Sequence, residues 1–420
     1  MGPVGEKSMK DRIASGMKKA MPKSVRRILR NFITSSIIKK ISQVRVKDYE
    51  PEEYPWGMNL IGPVSSATGL GQSFRLIERV VEQLHVPYLI YEWGKYTPNK
   101  VDTAQYQGKM EQALRYGINL WHVNPAEFPN AYKEMTLTAF DGRYNIAFWL
   151  WELEDFPDEW VPCANLLDEI WTPSEFISRS LRKKIDKPVY TIPYCVTAES
   201  DTKKYGRDYF NLPKEPFLFL MMYDVYSIQE RKNPEGVIRA FQKAFPPDRM
   251  DVGLVIKINS ADRGSLQKIR QEVGQYTNVY LIQDNLEKIQ VNSLIADCNV
   301  LVSLHRAEGF GLTMAEAMLN HVPVIATDWS ANTEFMTPDT ACMVGYELVT
   351  LEKNLPPYKK GNHWAEPDIA EAAAYMKRLA EDPVYYKKMS ENGYAYVQDK
   401  LGMESVCEKM TERLQDIRNG

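Results

Sequence analysis

Apolar residues along the chain come in two arrangements. Short unbroken runs at 56–62, 87–91, 118–123, 144–150, 168–171 and 189–192 read as strands buried on both faces. Further on, so do 216–222, 252–258, 278–282, 299–304 and 322–326. Between them lie stretches that are apolar on one helical face. At 72–84 Phe74, Leu76, Ile77, Val80, Val81 and Leu84 keep that spacing, and 174–184, 233–245 and 286–297 also read as helices. Another helix is expected to begin near Thr313. Strand, loop and helix repeated in this way form the pattern of an α/β fold. The pattern pauses at a junction of mixed polarity, 197–214, and then restarts. A domain boundary is therefore expected there, with a Rossmann-like domain over 51–205 and a second over 206–380. Residues 346–367 read as a long loop, and 368–381 and 383–418 as closing helices.

Charge separates the start of the chain from the rest. Residues 1–50 hold 13 Lys and Arg against 4 Asp and Glu. The whole chain carries −3, so the remainder carries −12. Helical stretches are expected at 8–19 and 24–40. The second offers Leu29, Phe32, Ile33, Ile37 and Ile38 beside Arg26, Arg27, Arg30, Lys39 and Lys40. Residues 1–47 thus suit an anionic membrane surface, a solvated tail, or a helix packed on the body. Nucleic acid is not expected, because the body is acidic and has no nucleic-acid motif.

At 420 residues, 44% hydrophobic and 25% charged, the chain has the size and composition of a two-domain globular protein. No run is long enough to span a membrane, and no apolar h-region follows the charged start. Five scattered cysteines and five histidines show no metal-ligand spacing. Reduced thiols of a cytoplasmic protein are expected, with no metal and no cofactor.

The candidate chemistry lies in the loops that follow strands. After 299–304 come Glu308-Gly309-Phe310-Gly311-Leu312-Thr313 and then Glu316. Two glycines let backbone approach a ligand, the helix start favours an anion, and carboxylates accept hydroxyl hydrogen bonds. Thr313-x-x-Glu316 also reads as a capping box that needs no ligand. Gly69 and Gly71 end the loop after the first strand, without the dinucleotide fingerprint. Arg231-Lys232-Asn233 at a loop–helix junction offers two cations beside free N–H groups, the chemistry of a diphosphate site. Lys257 ends a buried strand and calls for a carboxylate or phosphate partner. His122 stands at the end of another strand, either at a site or as a satisfied core residue. At 148–160 three tryptophans and five acids crowd together. Trp151 and Glu152 are candidates for stacking on and binding an acceptor sugar, and the alternative is a packed strand end.

The stretch 308–334 resembles the signature of glycosyltransferase family 4, the retaining transferases of GT-B fold. It keeps Glu308-Gly309-Phe310-Gly311-Leu312, Glu316-Ala317-Met318, Pro323-Val324-Ile325-Ala326-Thr327-Asp328 and Glu334. The segment at 151–160, followed by Ile170-Trp171-Thr172-Pro173-Ser174-Glu175-Phe176, is similar to a subgroup found in bacterial surface-polysaccharide assembly. The resemblance implies two Rossmann-like domains facing across a cleft, with helices at 381–420 crossing back to the first. It implies a metal-independent hexosyltransferase using a UDP- or GDP-sugar, with a glycan or polyprenyl-linked glycan as acceptor, working in the cytoplasm or at the inner face of the cell membrane. Catalytic roles would fall to Glu308, His122 and Lys232. Donor contacts would come from Arg231, Lys232, Lys257, Gly69, Gly71, the loop 308–313 and Glu316. One departure is that 223–227 carries no cation where many members place an arginine, and Lys257 is the candidate replacement. The other readings are a GT-B epimerase or phosphorylase, and a non-catalytic sugar-binding scaffold.

Overall fold

The computed structural model describes residues 23–94, 100–260 and 262–419. The helix expected at 8–19 lies outside them. Helix α1 (Lys23–Ile41) precedes the body. The first sheet is built from β1 (Met58–Gly62), α2 (Gly69–Gln83), β2 (Tyr88–Glu92), β3 (Ile118–Trp121), α3 (Phe128–Met135), β4 (Tyr144–Phe148), β5 (Glu169–Thr172), α4 (Glu175–Arg182) and β6 (Val189–Thr191). Its strands are all parallel, in the order β2-β1-β3-β4-β5-β6.

The second sheet follows with β7 (Phe217–Asp224), α5 (Gln229–Lys232), α6 (Pro234–Ala244), β8 (Val252–Asn259), α7 (Arg263–Val273), β9 (Val279–Ile282), α8 (Lys288–Asp297), β10 (Val300–Ser303), α9 (Leu312–Leu319), β11 (Val324–Thr327) and β12 (Cys342–Val344). It too is parallel, ordered β12-β11-β10-β7-β8-β9. Strands covered on both faces have no polar side to present, which is why they are written as continuous apolar runs. Phe217–Asp224 and Val252–Asn259 are the longest of them.

Strand order reverses between β1 and β3 in the first sheet and between β7 and β10 in the second. Such switch points open a crevice at the carboxyl ends of the strands. The segments after β1, β3, β7 and β10 carry Gly69 at the start of α2, His122, Arg231 in α5 and Glu308. At the opposite end of the first sheet, three buried asparagines fix the register. Asn59 donates to Asn119 Oδ1 at 2.9 Å and Asn119 donates to Asn145 Oδ1 at 2.8 Å. The three residues are also register partners in neighbouring strands. Their remaining amide groups bind loop backbone at Tyr116, Ala139, Phe140 and Arg143, so the ladder is buried without unmet donors.

Two elements and one cap depart from the sequence expectation. Residues 346–367 are not an irregular loop. They form an antiparallel hairpin of β13 (Tyr346–Thr350) and β14 (His363–Pro367). The closing helix expected at 383–418 is broken. After α10 (Ile369–Glu381), α11 (Pro383–Leu401) stops at Gly402, which is extended at φ −70°, ψ 161°, and α12 (Met403–Asn419) begins again. The helix near Thr313 starts at Leu312, with Gly311 at its N-cap and no side chain bonding its first turn. Thr313 therefore caps nothing, and the capping-box reading of Glu316 does not hold. Helix α12 returns to the first sheet. Arg413 bonds both oxygens of the buried Glu169 and also the Tyr144 hydroxyl.

Candidate functional site

The loop after β10 is held rigidly from below. The His305 ring is buried, with Nδ1 3.0 Å from Ser303 Oγ and Nε2 3.0 Å from Asn332 Oδ1. Arg306 forks onto both oxygens of Glu366 in β14, at 2.6 and 2.8 Å. The Glu308 amide donates to Ser330 Oγ at 2.9 Å. Gly311 then turns the chain at φ 98°, a conformation costly for any side-chain-bearing residue. Gly309 is required for a different reason. A Cβ there would meet the Trp151 carbonyl at 2.7 Å, because the first half of the chain closes on this loop.

Short helix α5 supplies two cations to the same point. Arg231 Nη1 donates to Glu308 Oε1 at 3.0 Å and to the Ala307 carbonyl at 2.8 Å, and Lys232 Nζ contacts the same Glu308 oxygen. Asn233 closes the motif from a left-handed conformation. Its Oδ1 caps α6 at Gly236 N, and its Nδ2 donates to the Leu304 carbonyl at the end of β10. Burial by itself would raise the Glu308 carboxyl. The Lys232 and Arg231 charges overcome that and hold it at about 2. Glu308 and the nearby Glu152 balance the two cations, and the loop leads into the uncapped start of α9, whose first N–H groups have no partner within the helix. An anion is suited to that position.

Glu316 lies one turn into α9 and is buried. One oxygen contacts Lys288 Nζ, while Oε2 has no partner among the described residues. A buried carboxylate oxygen without a donor fits a ligand hydroxyl. Lys257 is buried, with its ammonium on Asn259 Oδ1. Burial lowers its pKa to about 8 against the opposing pull of Asp224 and Asp284. Its direct partner is thus an amide, and the two carboxylates act at longer range.

The first half closes over this cluster. Glu152 Oε1 stands 3.9 Å from Arg231 Nη2, and its Oε2 accepts from Tyr358 Oη at 3.0 Å. Tyr358 sits in the segment between β13 and β14 and is nearly fully buried. Ser174 Oγ donates to the Gly309 carbonyl at 2.8 Å, and Glu334 accepts from Glu175 N and Phe176 N, both at 2.8 Å, at the start of α4. The sequence reading passed over Tyr358, Ser174 and this role of Glu334. No local signal marks them, because each acts on residues more than a hundred positions away.

The side chains of the other candidates are taken up in packing or have no partner in the cluster. Trp151 is 3% exposed. Its Nε1 donates to the Asp155 carbonyl, and its ring is enclosed by Phe156, Trp160 and Tyr358, so it offers no face to a sugar. His122 is 1% exposed, with Nε2 2.7 Å from Ser73 Oγ, and burial lowers its pKa to about 3. Gly71 packs so closely that a Cβ would lie 2.2 Å from the Ser66 carbonyl, a structural requirement, whereas a Cβ at Gly69 would meet open space. Among the described residues no group of three or more His, Cys, Asp or Glu side chains could hold a metal ion.

Residues 207–396 match the family model described as glycosyl transferases group 1. That segment takes in the whole second sheet, the hairpin and most of α11. A search of curated proteins finds no match to the chain. Among solved structures the chain is similar to HepE from Anabaena, determined with UDP and glucose, at 13% identity and a TM-score of 0.63, covering 86% of this chain and 100% of that one. It is also similar to a sucrose-phosphate synthase from Thermosynechococcus elongatus, at 14% identity and a TM-score of 0.64, covering 86% and 99%. A glycosyltransferase from Rickettsia africae gives 13%, 0.62, 86% and 98%. At such identities the likeness is one of fold. The fold is GT-B, two Rossmann-like sheets facing across a cleft.

Proposed function

We propose that the chain is a retaining glycosyltransferase of family 4 type. It would move a hexosyl unit from a UDP- or GDP-sugar to a hydroxyl of a glycan or lipid-linked glycan in polysaccharide or glycoconjugate synthesis. The observation that carries this reading is the convergence of Arg231 and Lys232 on Glu308, in the loop that leads into the uncapped start of α9. The match of 207–396 to the group 1 transferases supports it. Breaking the bond between the anomeric carbon and the diphosphate oxygen moves negative charge onto the leaving group. Arg231, Lys232 and the N–H groups of α9 would stabilise that charge without a metal. Glu308, held ionised, would accept sugar hydroxyls and stabilise the positive charge developing on the ring. The free oxygen of Glu316 would accept from the ribose. Attack from the same face would let the departing phosphate take the acceptor proton, and no side-chain nucleophile is assigned.

The competing reading is a sugar-binding scaffold that keeps the fold, and turnover separates the two. The direct test is a thermal-shift panel with UDP, GDP, ADP and their sugar conjugates in EDTA. A nucleotide at about 100 times its dissociation constant should add roughly 2.7 kcal/mol of stability. If the folded, monodisperse protein responds to none of them, the donor site is misassigned.

The proposal extends to a peripheral place at an anionic membrane, on its cytoplasmic side. The C-terminal half of α1 packs on the body through Ile37 and the fully buried Ile41. Val25, Leu29, Phe32 and Ile33 stay exposed, Phe32 at 74%. These residues form a single stripe along the helix, with Lys39 and Lys40 exposed near its end. Among the described residues no helix is long and apolar enough to cross a membrane.

A further inference from the structure

Ser330 holds its backbone at φ 76° and ψ −154°, a region open to glycine and costly for any residue with a Cβ. It lies in the loop after β11 and is 5% exposed. Its hydroxyl oxygen accepts from the Glu308 amide at 2.9 Å, in the loop after β10. A second bond runs beside the first, from Ala331 N to the Glu308 carbonyl at 3.3 Å. Glu308 is thus fastened through its own N–H and its own C=O to two adjacent residues, one of them strained. A glycine at 330 would make the same turn without strain, but it would offer no oxygen to the Glu308 amide.

His305 and Asn332 brace the strained residue from below. Both are fully buried. Asn332 Nδ2 donates to the Thr327 carbonyl at 3.0 Å, which fixes the amide and leaves Oδ1 as the acceptor. That oxygen lies 3.0 Å from His305 Nε2 and accepts from Ser330 Oγ at 3.5 Å. The Trp329 carbonyl stands 3.2 Å from the same Nε2. Both groups facing Nε2 can only accept, so Nε2 carries the ring proton. Nδ1 is then free to accept from the Ser303 hydroxyl, 3.0 Å away. Burial lowers the pKa of His305, which keeps the ring neutral in this arrangement. Thr327 Oγ1 donates to the His305 carbonyl at 2.7 Å and joins the two loops once more.

We propose that Ser330 is a positioning residue for Glu308, kept in a strained conformation because its hydroxyl holds the Glu308 amide, and that His305, neutral and protonated on Nε2, braces it through Asn332. Held in this way, the Glu308 carboxylate stays on Arg231 and Lys232. The effect on turnover rests on the glycosyltransferase reading, whereas the brace does not.

Two substitutions separate the hydroxyl from the strain. Ser330→Ala removes the hydroxyl and keeps the strain, and Ser330→Gly removes both. Ser330→Gly should therefore melt higher than Ser330→Ala. Both should release nucleotide from UDP-glucose, UDP-N-acetylglucosamine or GDP-mannose more slowly than wild type by about tenfold or more, with nucleotide Kd unchanged. Rates that follow melting temperature, or a wild-type rate in Ser330→Gly, overturn the positioning role. His305→Gln sets an amide N–H near the place of Nε2 and should recover more of the rate than His305→Ala; equal rates overturn the brace. Nitrogen NMR of protein labelled at histidine, with the His305 signals identified by their loss in His305→Gln, should show a protonated Nε2, and a bare Nε2 also overturns the brace. If wild type binds no nucleotide and turns over none of the three donors, the glycosyltransferase reading falls alone. Hydrogen exchange then decides the brace: the Glu308 amide should exchange faster in Ser330→Gly, and equal protection in both proteins overturns it.

Discussion

Replacing Glu308 by Gln tests whether one carboxylate and a donor diphosphate share the same two cations. Arg231 and Lys232 have side chains only 6% and 23% exposed, and both rest on a single Glu308 oxygen. Glutamine keeps the shape and one acceptor but removes the charge. Breaking a buried ion pair typically costs about 3–5 kcal/mol. Glu152, 3.9 Å from Arg231, offsets part of the loss, which points to the lower end. About 3 kcal/mol corresponds to a melting point lower by roughly 6–12 °C for a domain of this size. A bound diphosphate restores the missing negative charge, so UDP or GDP should raise the melting point of Glu308→Gln by more than that of wild type. Turnover should fall about 10²–10³-fold, the size of effect seen when a transition-state charge loses its stabilising group. The measurements are thermal shift with and without nucleotide, and product formation from the sugar conjugate that binds. A variant as stable as wild type, or one whose nucleotide shift is no larger, would refute the shared-cation argument.

Two further variants probe the donor pocket and the membrane face. Lys257→Ala should weaken nucleotide diphosphate binding about tenfold. Because the pKa of Lys257 lies at about 8, wild-type affinity should decline as pH rises through 8 while the variant's stays flat; unchanged affinity by calorimetry removes Lys257 from the donor site. Phe32→Glu puts a charge into the exposed stripe of α1 and forgoes about 1.5–3 kcal/mol of apolar burial. Co-sedimentation with phosphatidylserine vesicles should fall at least tenfold with melting temperature unchanged, and equal sedimentation of both proteins would rule that face out.

Much of the Arg231–Lys232–Glu308 cluster is legible in the sequence because its parts are contiguous. Arg231-Lys232-Asn233 and the stretch 308–316 each form a complete local device, with cations, cap, glycine turn and helix start in order. The strands were readable because burial on both faces leaves only apolar residues. The hairpin was hidden for the opposite reason. Tyr346, Glu347 and Leu348 are exposed, Pro356 and Pro357 interrupt the segment, and its anchors are Leu351, Leu355 and Tyr358 docking on the first half. The break at Gly402 was hidden by amphipathic spacing that continues across it. His122 looked alike in both readings, since its partner Ser73 lies 49 residues away along the chain.

The tryptophan- and acid-rich stretch after β4 gains a different meaning from these contacts. Its rings are used up in packing, and what it presents to the cleft is Glu152 and the Trp151 carbonyl. The hydrogen bonds that join the halves along this wall include Tyr358 to Glu152, Ser174 to Gly309, and Glu175 and Phe176 to Glu334, with Asn362 to Asp155 and Lys359 to Glu159 at the exposed rim. At about 0.5–1.5 kcal/mol net apiece the first four amount to roughly 2–6 kcal/mol, the same size as the stabilisation a saturating ligand supplies. Glu334 adds an opposing effect, since burial raises its pKa against the two backbone bonds that lower it. If a donor diphosphate binds Arg231 as proposed, it meets Glu152 there, and through it Tyr358 and the hairpin.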